Sequence, residues 1–372
     1  MEKKKKILLV GGGTGGSVTP LLAIAEFSVF KHWENRADFL FLGTERGPER
    51  GMAEKAGLEF KWIYSGKLRR YFSWRNFIDP IFILIGFFQS FFILLNWRPD
   101  LIISAGSFLA VPIVWTAWIL RVPVIIHQQD ICPGLANRLS QPFARIITVA
   151  FEKSLNDYGA KAVWIGNPVR QSLKSADPNL RIKNSFNLTG NLPVILIMGG
   201  GTGAVFINEL VKNSKGELLK FCQIVHIGGK DRILNSQTGL QASGLEILNY
   251  RRFEFLQIDK MAEAYALADI VVSRSGMGSL TELSYLSKPS VLIPIPDSHQ
   301  EANAEIFRQK KAALVMNQKG LTAAVFTDEI KKLIENKDLQ RELKKNISRA
   351  MKSDANKIME KIIIDNLGAT GF

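Results

Sequence analysis

The sequence predicts an α/β protein of two doubly wound, parallel-sheet domains, and three observations predict it. A short apolar run enters a glycine-rich turn twice, at Ile7–Val10 into Gly11–Gly16 and at Val194–Met198 into Gly199–Gly203. Each turn leads into a helical stretch, around Leu21–Phe30 in one case and from Phe206 in the other. Through both halves, further apolar runs alternate with helical patterns, the rhythm of parallel strands covered by helices on both faces. Ligands of such sheets bind at the carboxyl ends of the strands.

In the first half the expected strands are Ile7–Val10, Phe39–Leu42, Leu101–Ile103, Val122–Ile126 and Ile146–Val149. The second half offers Val194–Met198, Gln223–His226, Ile270–Val272 and Val291–Ile293. Residues 171–193 are rich in Ser, Asn, Asp, Lys and Pro and read as the connection between domains. From Asp328 the chain is charged and helix-forming, with no glycine until Gly368. The expected division is 1–168, 169–340, and a closing helix in 341–372 that returns toward the first domain.

Length agrees with two domains, because 372 residues exceed the usual size of one hydrophobic core. With 47% hydrophobic and 22% charged residues the chain has the material of a large core, and no low-complexity tract argues for disorder. The net charge of +14 points to an anionic partner, nucleic acid or lipid. Cys132 and Cys222 stand far apart, outside any zinc-binding or disulfide spacing, as expected of a reducing compartment. The basic Met1–Lys6 segment precedes an apolar run too short for a signal peptide, so no export signal is expected.

Gly11-x-Gly13-x-x-Gly16 formally matches the dinucleotide fingerprint. That fingerprint expects an acid about 20 residues further on to hold the ribose. Here the nearest acid past the second strand, Glu45, stands 29 residues beyond Gly16. A dehydrogenase also leaves the second glycine loop unexplained. One such loop can be a tight strand-to-helix turn and nothing more. Two, one at the head of each domain, favour phosphate binding by backbone N–H groups and suit an enzyme that holds a donor on one domain and an acceptor on the other.

The motifs together resemble the MurG family of glycosyltransferases. The resemblance is carried by Gly11-Gly-Gly-Thr-Gly-Gly16-Ser-Val-Thr-Pro20, Ile126-His-Gln-Gln-Asp130 with Gly134-Leu-Ala-Asn137, and Gly166-Asn-Pro-Val-Arg170. It continues through Gly199–Ala204, Arg274-Ser-Gly276 with Glu282, and Asp297-x-His299-Gln300-x-x-Asn303-Ala304, in family order from residue 7 to about 315. It implies a GT-B fold, two Rossmann-like domains facing a central cleft. It implies inverting transfer of GlcNAc from UDP-GlcNAc to the MurNAc 4-hydroxyl of lipid I. No cofactor is expected, and no metal, since no aspartate pair precedes the donor site and a helix end and an arginine can take the charge. The first domain would bind the acceptor and the membrane, the second the UDP-sugar.

Carried over by position, the resemblance makes Gly276 and its neighbour Arg274 the helix entry that faces the diphosphate. Glu282 would accept hydrogen bonds from the ribose, the backbone near Ile258 would meet uracil, and His299 and Gln300 would face the sugar. Arg170 would stand near the leaving diphosphate, and Gly201 and Thr202 would line the donor-side loop. On the acceptor side come Thr14, Gly15, Gly16, Gly106, Ser107 and Asn137. Two of these roles also follow from chemistry. A carboxylate is a bidentate acceptor suited to a vicinal diol, and a helix N-terminus stabilises charge growing on a departing phosphate.

Two departures from the family bear on the chemistry. The family loop ends Gly-Gly-His, and here Ser17 takes the histidine position; the family's His-Glu-Gln-Asn is here His127-Gln128-Gln129-Asp130. A general base needs a titratable group tuned toward the working pH, which excludes an unassisted serine and an amide. Asp130 and His127 remain as the candidate bases, with Asp130 acting directly or by polarising His127, and Ser17 orienting the sugar. Where the family has two glycines, Gly106-Ser107 is expected to tighten the acceptor-side phosphate site.

Residues 77–95 form a nineteen-residue apolar stretch with Asp79 as its one charge. Length permits a membrane span, but a crossing here would divide one sheet between two compartments. Within 61–98, Lys61, Lys67, Arg69, Arg70, Arg75 and Arg98 flank the stretch, with Trp62, Trp74 and Trp97 among them. That composition reads as a helix lying in the interface, its apolar face in the acyl boundary and its bases on anionic headgroups. A peripheral enzyme on the cytoplasmic face of the cell membrane is expected. No RNA- or DNA-binding motif accompanies the charge. The competing readings are another lipid glycosyltransferase of the same fold and a catalytically impaired nucleotide-sugar-binding homologue.

Overall fold

Ile7 and Leu9 point into one hydrophobic cluster and Leu8 and Val10 into another, so the first strand is buried on both faces, the mark of a central parallel strand. The computed structural model describes residues 4–30, 37–66, 75–174, 180–186, 188–200, 204–229 and 249–368. Two compact units emerge: one runs to Gln171 and resumes at Lys352, the other comprises Ser172–Met351.

The first unit follows the order β1 (Lys5–Val10), α1 (Thr19–Phe30), β2 (Ala37–Gly43), α2 (Glu49–Lys55), β3 (Glu59–Trp62), α3 (Arg75–Trp97), β4 (Leu101–Ser104), α4 (Ala110–Ile119), β5 (Val124–Gln128), α5 (Leu135–Ser140), β6 (Ile146–Val149) and β7 (Ala162–Trp164). Its sheet is ordered β3-β2-β1-β4-β5-β6-β7, and every pair is parallel. Leu21, Leu22, Ile24 and Ala25 bury α1 on the Ile7–Leu9 face of the sheet, which explains its nearly uniform apolar sequence. On the opposite face, Ile113, Val114 and Ala117 of α4 pack with Leu94 of α3.

The second unit contains α6 (Leu180–Ser185), β8 (Val194–Met198), α7 (Val205–Leu218), β9 (Gln223–Ile227), β10 (Tyr250–Phe253), α8 (Ile258–Leu267), β11 (Ile270–Ser273), α9 (Met277–Leu286), β12 (Ser290–Leu292), α10 (His299–Gln309), β13 (Leu314–Val315), α11 (Ala323–Glu335) and α12 (Lys337–Ile347). Its six strands run in the order β10-β9-β8-β11-β12-β13, again all parallel. Phe326, Ile330 and Leu333 of α11 join the core built on β8 and α7.

α13 (Ala355–Asn366) belongs to the first unit. Met359, Ile362 and Ile363 enter the cluster around α1, and Asn356 hydrogen-bonds both the N–H (3.0 Å) and the carbonyl (2.8 Å) of Val169. Of the charged segment that begins at Asp328, the part through α12 packs on the second unit, and the chain changes units at Lys352.

Both sheets reverse strand order at one point, between β1 and β4 in the first and between β8 and β11 in the second. Loops leaving the carboxyl ends on either side of such a switch diverge and leave a crevice. Val10 pairs with Ser104 at the first switch and Met198 with Ser273 at the second. The loops beyond them are the glycine turn from Gly11, the Gly106-Ser107 turn, the glycine turn from Gly199, and the Arg274–Gly276 entry to α9.

Candidate active site

In the first unit the glycine loop is moulded around a buried carboxylate. Glu49, fully buried at the start of α2, accepts from Gly13 N–H (3.2 Å), Thr44 N–H (2.7 Å) and the Thr44 hydroxyl. A Cβ at Gly12 would lie 2.5 Å from Glu49 Oε1, and one at Gly43 would lie 2.6 Å from Glu49 Cγ. Glycine is required at both positions for the carboxyl group to fit, and Gly13 adopts φ +82°. Thr14 is exposed and Gly15 and Gly16 are half-exposed, so the loop keeps a surface for a ligand.

Ser17 is turned inward. Its Oγ lies 3.0 Å from the Gly12 carbonyl and 3.2 Å from that of Thr14, and it accepts from Gly12 N–H at 3.2 Å. Through these backbone groups the hydroxyl staples the loop.

Across the switch point, Gly106 and Ser107 take φ +84° and +83°, a region strained for serine. Ser107 Oγ is shielded and has no hydrogen-bond partner among the described residues. Asn137 is buried, and its amide sits 3.1 Å from where a Cβ of Gly106 would stand. Its Nδ2 donates to Gln128 Oε1 at 2.5 Å, which braces the loop.

His127 ends as a core residue. The imidazole is fully buried, Nδ1 lies 2.9 Å from Thr148 Oγ1 and Nε2 2.6 Å from Asn167 Oδ1. Burial lowers its pKa from 6.5 to about 4, against the opposing pull of these hydrogen bonds. Both ring nitrogens are committed within the core, to Thr148 and Asn167.

Gln128 explains the second departure. Its Nε2 donates to the carbonyls of Asp130 (2.7 Å) and Cys132 (3.1 Å), while Oε1 accepts from Asn137 and from Tyr158 OH (2.9 Å). All four hydrogen-bonding positions of the amide are filled, and a carboxylate would face two carbonyl oxygens. The amide therefore pins the turn that carries Asp130, whose side chain is half-exposed beyond the end of β5.

In the second unit, Arg274, Gly276 and Glu282 lie at or on α9, and His299 and Gln300 at the start of α10. Gly276 is the N-cap of α9, in extended conformation, with no side chain capping the helix and no acid in the first turn. Such an end attracts an anion. Gln300 Nε2 lies 3.7 Å from where a Cβ of Gly276 would stand, and Gln300 Oε1 accepts from Ile295 N–H at 3.3 Å. Ser275 Oγ donates to the Gln300 carbonyl at 2.8 Å, which locks the start of α10 against the start of α9. His299 opens α10, behind the Ser298 cap.

Arg274 is buried, and its Nη1 clasps the carbonyls of Ile293 (2.9 Å) and Pro294 (3.1 Å) at the end of β12. Its contacts brace the crevice wall. Glu282, half-buried in the second turn of α9, accepts from Tyr265 OH at 2.8 Å. Ile258 opens α8, where its backbone begins the helix. Arg170 belongs to the first unit, and Gly201 and Thr202 lie outside the described residues, as do Lys67, Arg69, Arg70 and Trp74.

Glu49, Asn167, Tyr158 and Tyr265 escape sequence reasoning. Each acts through a partner distant in sequence, and only Asn167, inside the Gly166–Arg170 motif, carried any signal.

Residues 7–149 match the glycosyltransferase family 28 N-terminal domain, and residues 194–362 match the family 28 C-terminal domain. The chain belongs to the MurG family, within glycosyltransferase family 28. A relative from Clostridium kluyveri is 38% identical over 334 residues, 88% of this chain and 91% of its own. Another, from Geobacillus kaustophilus, is 35% identical over 368 residues, 97% of this chain and 99% of its own. Both are named UDP-N-acetylglucosamine--N-acetylmuramyl-(pentapeptide) pyrophosphoryl-undecaprenol N-acetylglucosamine transferase. The crystal structure of Acinetobacter baumannii MurG superposes with a TM-score of 0.71 at 23% identity, covering 97% of this chain and 99% of that one, a likeness of fold.

Proposed function

We infer that this family 28 enzyme transfers GlcNAc from UDP-GlcNAc to the MurNAc 4-hydroxyl of undecaprenyl-pyrophosphoryl-MurNAc-pentapeptide, with inversion at the anomeric carbon. The observation that carries the reading is the likeness to transferases of that name over nearly the whole of both chains. The second unit supports it with an uncapped α9 N-terminus, a carboxylate two turns along that helix, and Gln300 at the helix entry.

In this mechanism the α9 N-terminus receives the diphosphate and stabilises the charge that grows as UDP departs. Glu282 takes the ribose hydroxyls as a bidentate acceptor. Gln300 and His299 face the sugar, the backbone at Ile258 meets uracil, and Arg170 assists the leaving diphosphate. Asp130 accepts the proton of the 4-hydroxyl as its oxygen attacks the anomeric carbon. Asp130 is a titratable group half-exposed beyond the end of β5, whereas the His127 ring is fully buried. Thr14, Gly15, Gly16, Gly106 and Ser107 form the acceptor-side phosphate surface. The Ser107 hydroxyl, shielded and without a hydrogen-bond partner among the described residues, supports its place there.

The same reading places the enzyme on the cytoplasmic face of the cell membrane. On α3 the side chains Ile81, Leu84, Ile85, Phe88, Phe92 and Leu95 are all exposed, at the spacing of one helical face, and Trp118 and Ile119 of the adjoining α4 extend the apolar surface. Monomeric soluble proteins rarely leave so continuous an apolar patch in water. Among the described residues no helix is long and apolar enough to cross a membrane. An interfacial helix with flanking bases fits both facts.

Mass analysis of the product tests the reaction. Incubation with UDP-GlcNAc and a MurNAc-pentapeptide lipid should add the mass of one N-acetylhexosamine, and an unmodified acceptor would refute it.

A further inference from the structure

Tyr265 is one of the largest fully buried side chains in the molecule, 1% exposed, in the last turn of α8. A phenol buried in this way needs a partner for its O–H. Its hydroxyl donates to Glu282 Oε2 at 2.8 Å and lies 3.6 Å from Met198 Sδ. The sulfur is a weak acceptor, so of these two the carboxylate is the stronger partner. Met198 ends β8 immediately before the Gly199 loop, and Glu282 stands on α9 two turns beyond Gly276. One hydroxyl thus connects the helix that carries the carboxylate with the strand end on the other side of the switch point.

We infer that Tyr265 is a positioning residue of the donor site, whose hydroxyl holds the Glu282 carboxylate in the orientation that a ribose diol requires. The inference rests on the reading of Glu282 as the ribose acceptor. A glutamate on a helix surface has three side-chain torsions to order before both oxygens can meet two vicinal hydroxyls. A charge-assisted hydrogen bond from a fixed phenol orders them in advance. The phenol is held by packing of α8 on the sheet, so the restraint is present before the donor arrives. Tyr265 touches no substrate in this scheme. Its contribution lies in binding, and it predicts a change in donor KM with kcat at saturating donor retained.

Calorimetric titration of UDP, and of 2′,3′-dideoxy-UDP as a probe without the diol, into the parent, Tyr265→Phe, Glu282→Gln and the double variant tests this. Tyr265→Phe should weaken UDP about three- to tenfold, the cost of ordering one flexible side chain. It should leave the dideoxy probe unchanged and add nothing to Glu282→Gln. Equal weakening toward both nucleotides would mean a general structural role and overturn the inference. UDP binding like the parent's in Tyr265→Phe, with Glu282→Gln impaired, would overturn it and leave the ribose reading standing. If the parent binds both nucleotides alike and Glu282→Gln changes nothing, the ribose reading fails and Tyr265 with it.

Discussion

His127 Nε2 lies 2.6 Å from Asn167 Oδ1, joining the end of β5 to the Gly166–Arg170 segment inside the core of the first unit. The pair has a measurable consequence, because burial lowers the histidine pKa to about 4. The second unit has a counterpart in His226, lowered to about 4 by burial and by the nearby Arg252 charge. In each case the unfolded chain takes up the proton near the ordinary value of 6.5, before the folded chain does. The stabilisation is complete above about pH 6.5 and is lost as the pH falls toward 4, by about 3 kcal/mol for a fully buried histidine. Denaturant unfolding between pH 7.5 and 4.5 should show this decline, and His127→Gln should remove about one proton from the slope. An unchanged slope in that variant would contradict the account.

Restoring the family's glutamate at Gln128 should harm this chain. Gln128→Glu turns a carboxylate toward the carbonyls of Asp130 and Cys132, where an amide now donates. Placing a buried charge against two acceptors should cost about 2–4 kcal/mol. Thermal unfolding at pH 7.5 reads the loss, and a melting temperature equal to the parent's would show that the Gln128 amide does not stabilise the turn.

Glu282→Gln keeps the size of the side chain and removes its charge. Donor affinity should fall roughly ten- to a hundredfold, the value of hydrogen bonds to a charged group. Competition by UDP in a binding assay measures it, and parental affinity would remove Glu282 from the donor site.

Phe88 and Phe92 stand 54% and 61% exposed on α3. Phe88→Ser with Phe92→Ser should lower partition onto anionic vesicles by at least about tenfold, since burying one such ring is worth about 1.5–3 kcal/mol. Raised salt should weaken attachment of the parent without abolishing it, because screening removes only the share due to bases. Co-sedimentation at two salt concentrations checks both, and equal partition of parent and variant would place the contact elsewhere.

The central strands were legible because both of their faces are buried and four or more apolar residues run together, as in β1 and β8. β3, β7, β10 and β13 carry no such run: they lie at or near sheet edges with half-exposed residues, and their sequences look like loop. The glycine loops and α9 were legible through glycine punctuation. What Ser17 and His127 do was not, because a side chain's partner is set by tertiary contact. Glu49 reaches Gly13 across 36 residues and His127 reaches Asn167 across 40. The Tyr265–Glu282 bond spans two helices, and no local pattern encodes it.

Acceptor-dependent UDP release from UDP-GlcNAc, in the parent and in Asp130→Asn, tests the account most directly. The parent should release UDP with a MurNAc-pentapeptide pyrophosphoryl lipid and not with diacylglycerol. Asp130→Asn should keep donor affinity and lose about 10² to 10⁴ in kcat, the usual cost of removing a general base. Release with diacylglycerol alone, or with neither acceptor, would contradict the proposed reaction, and full turnover by Asp130→Asn would contradict the proposed base.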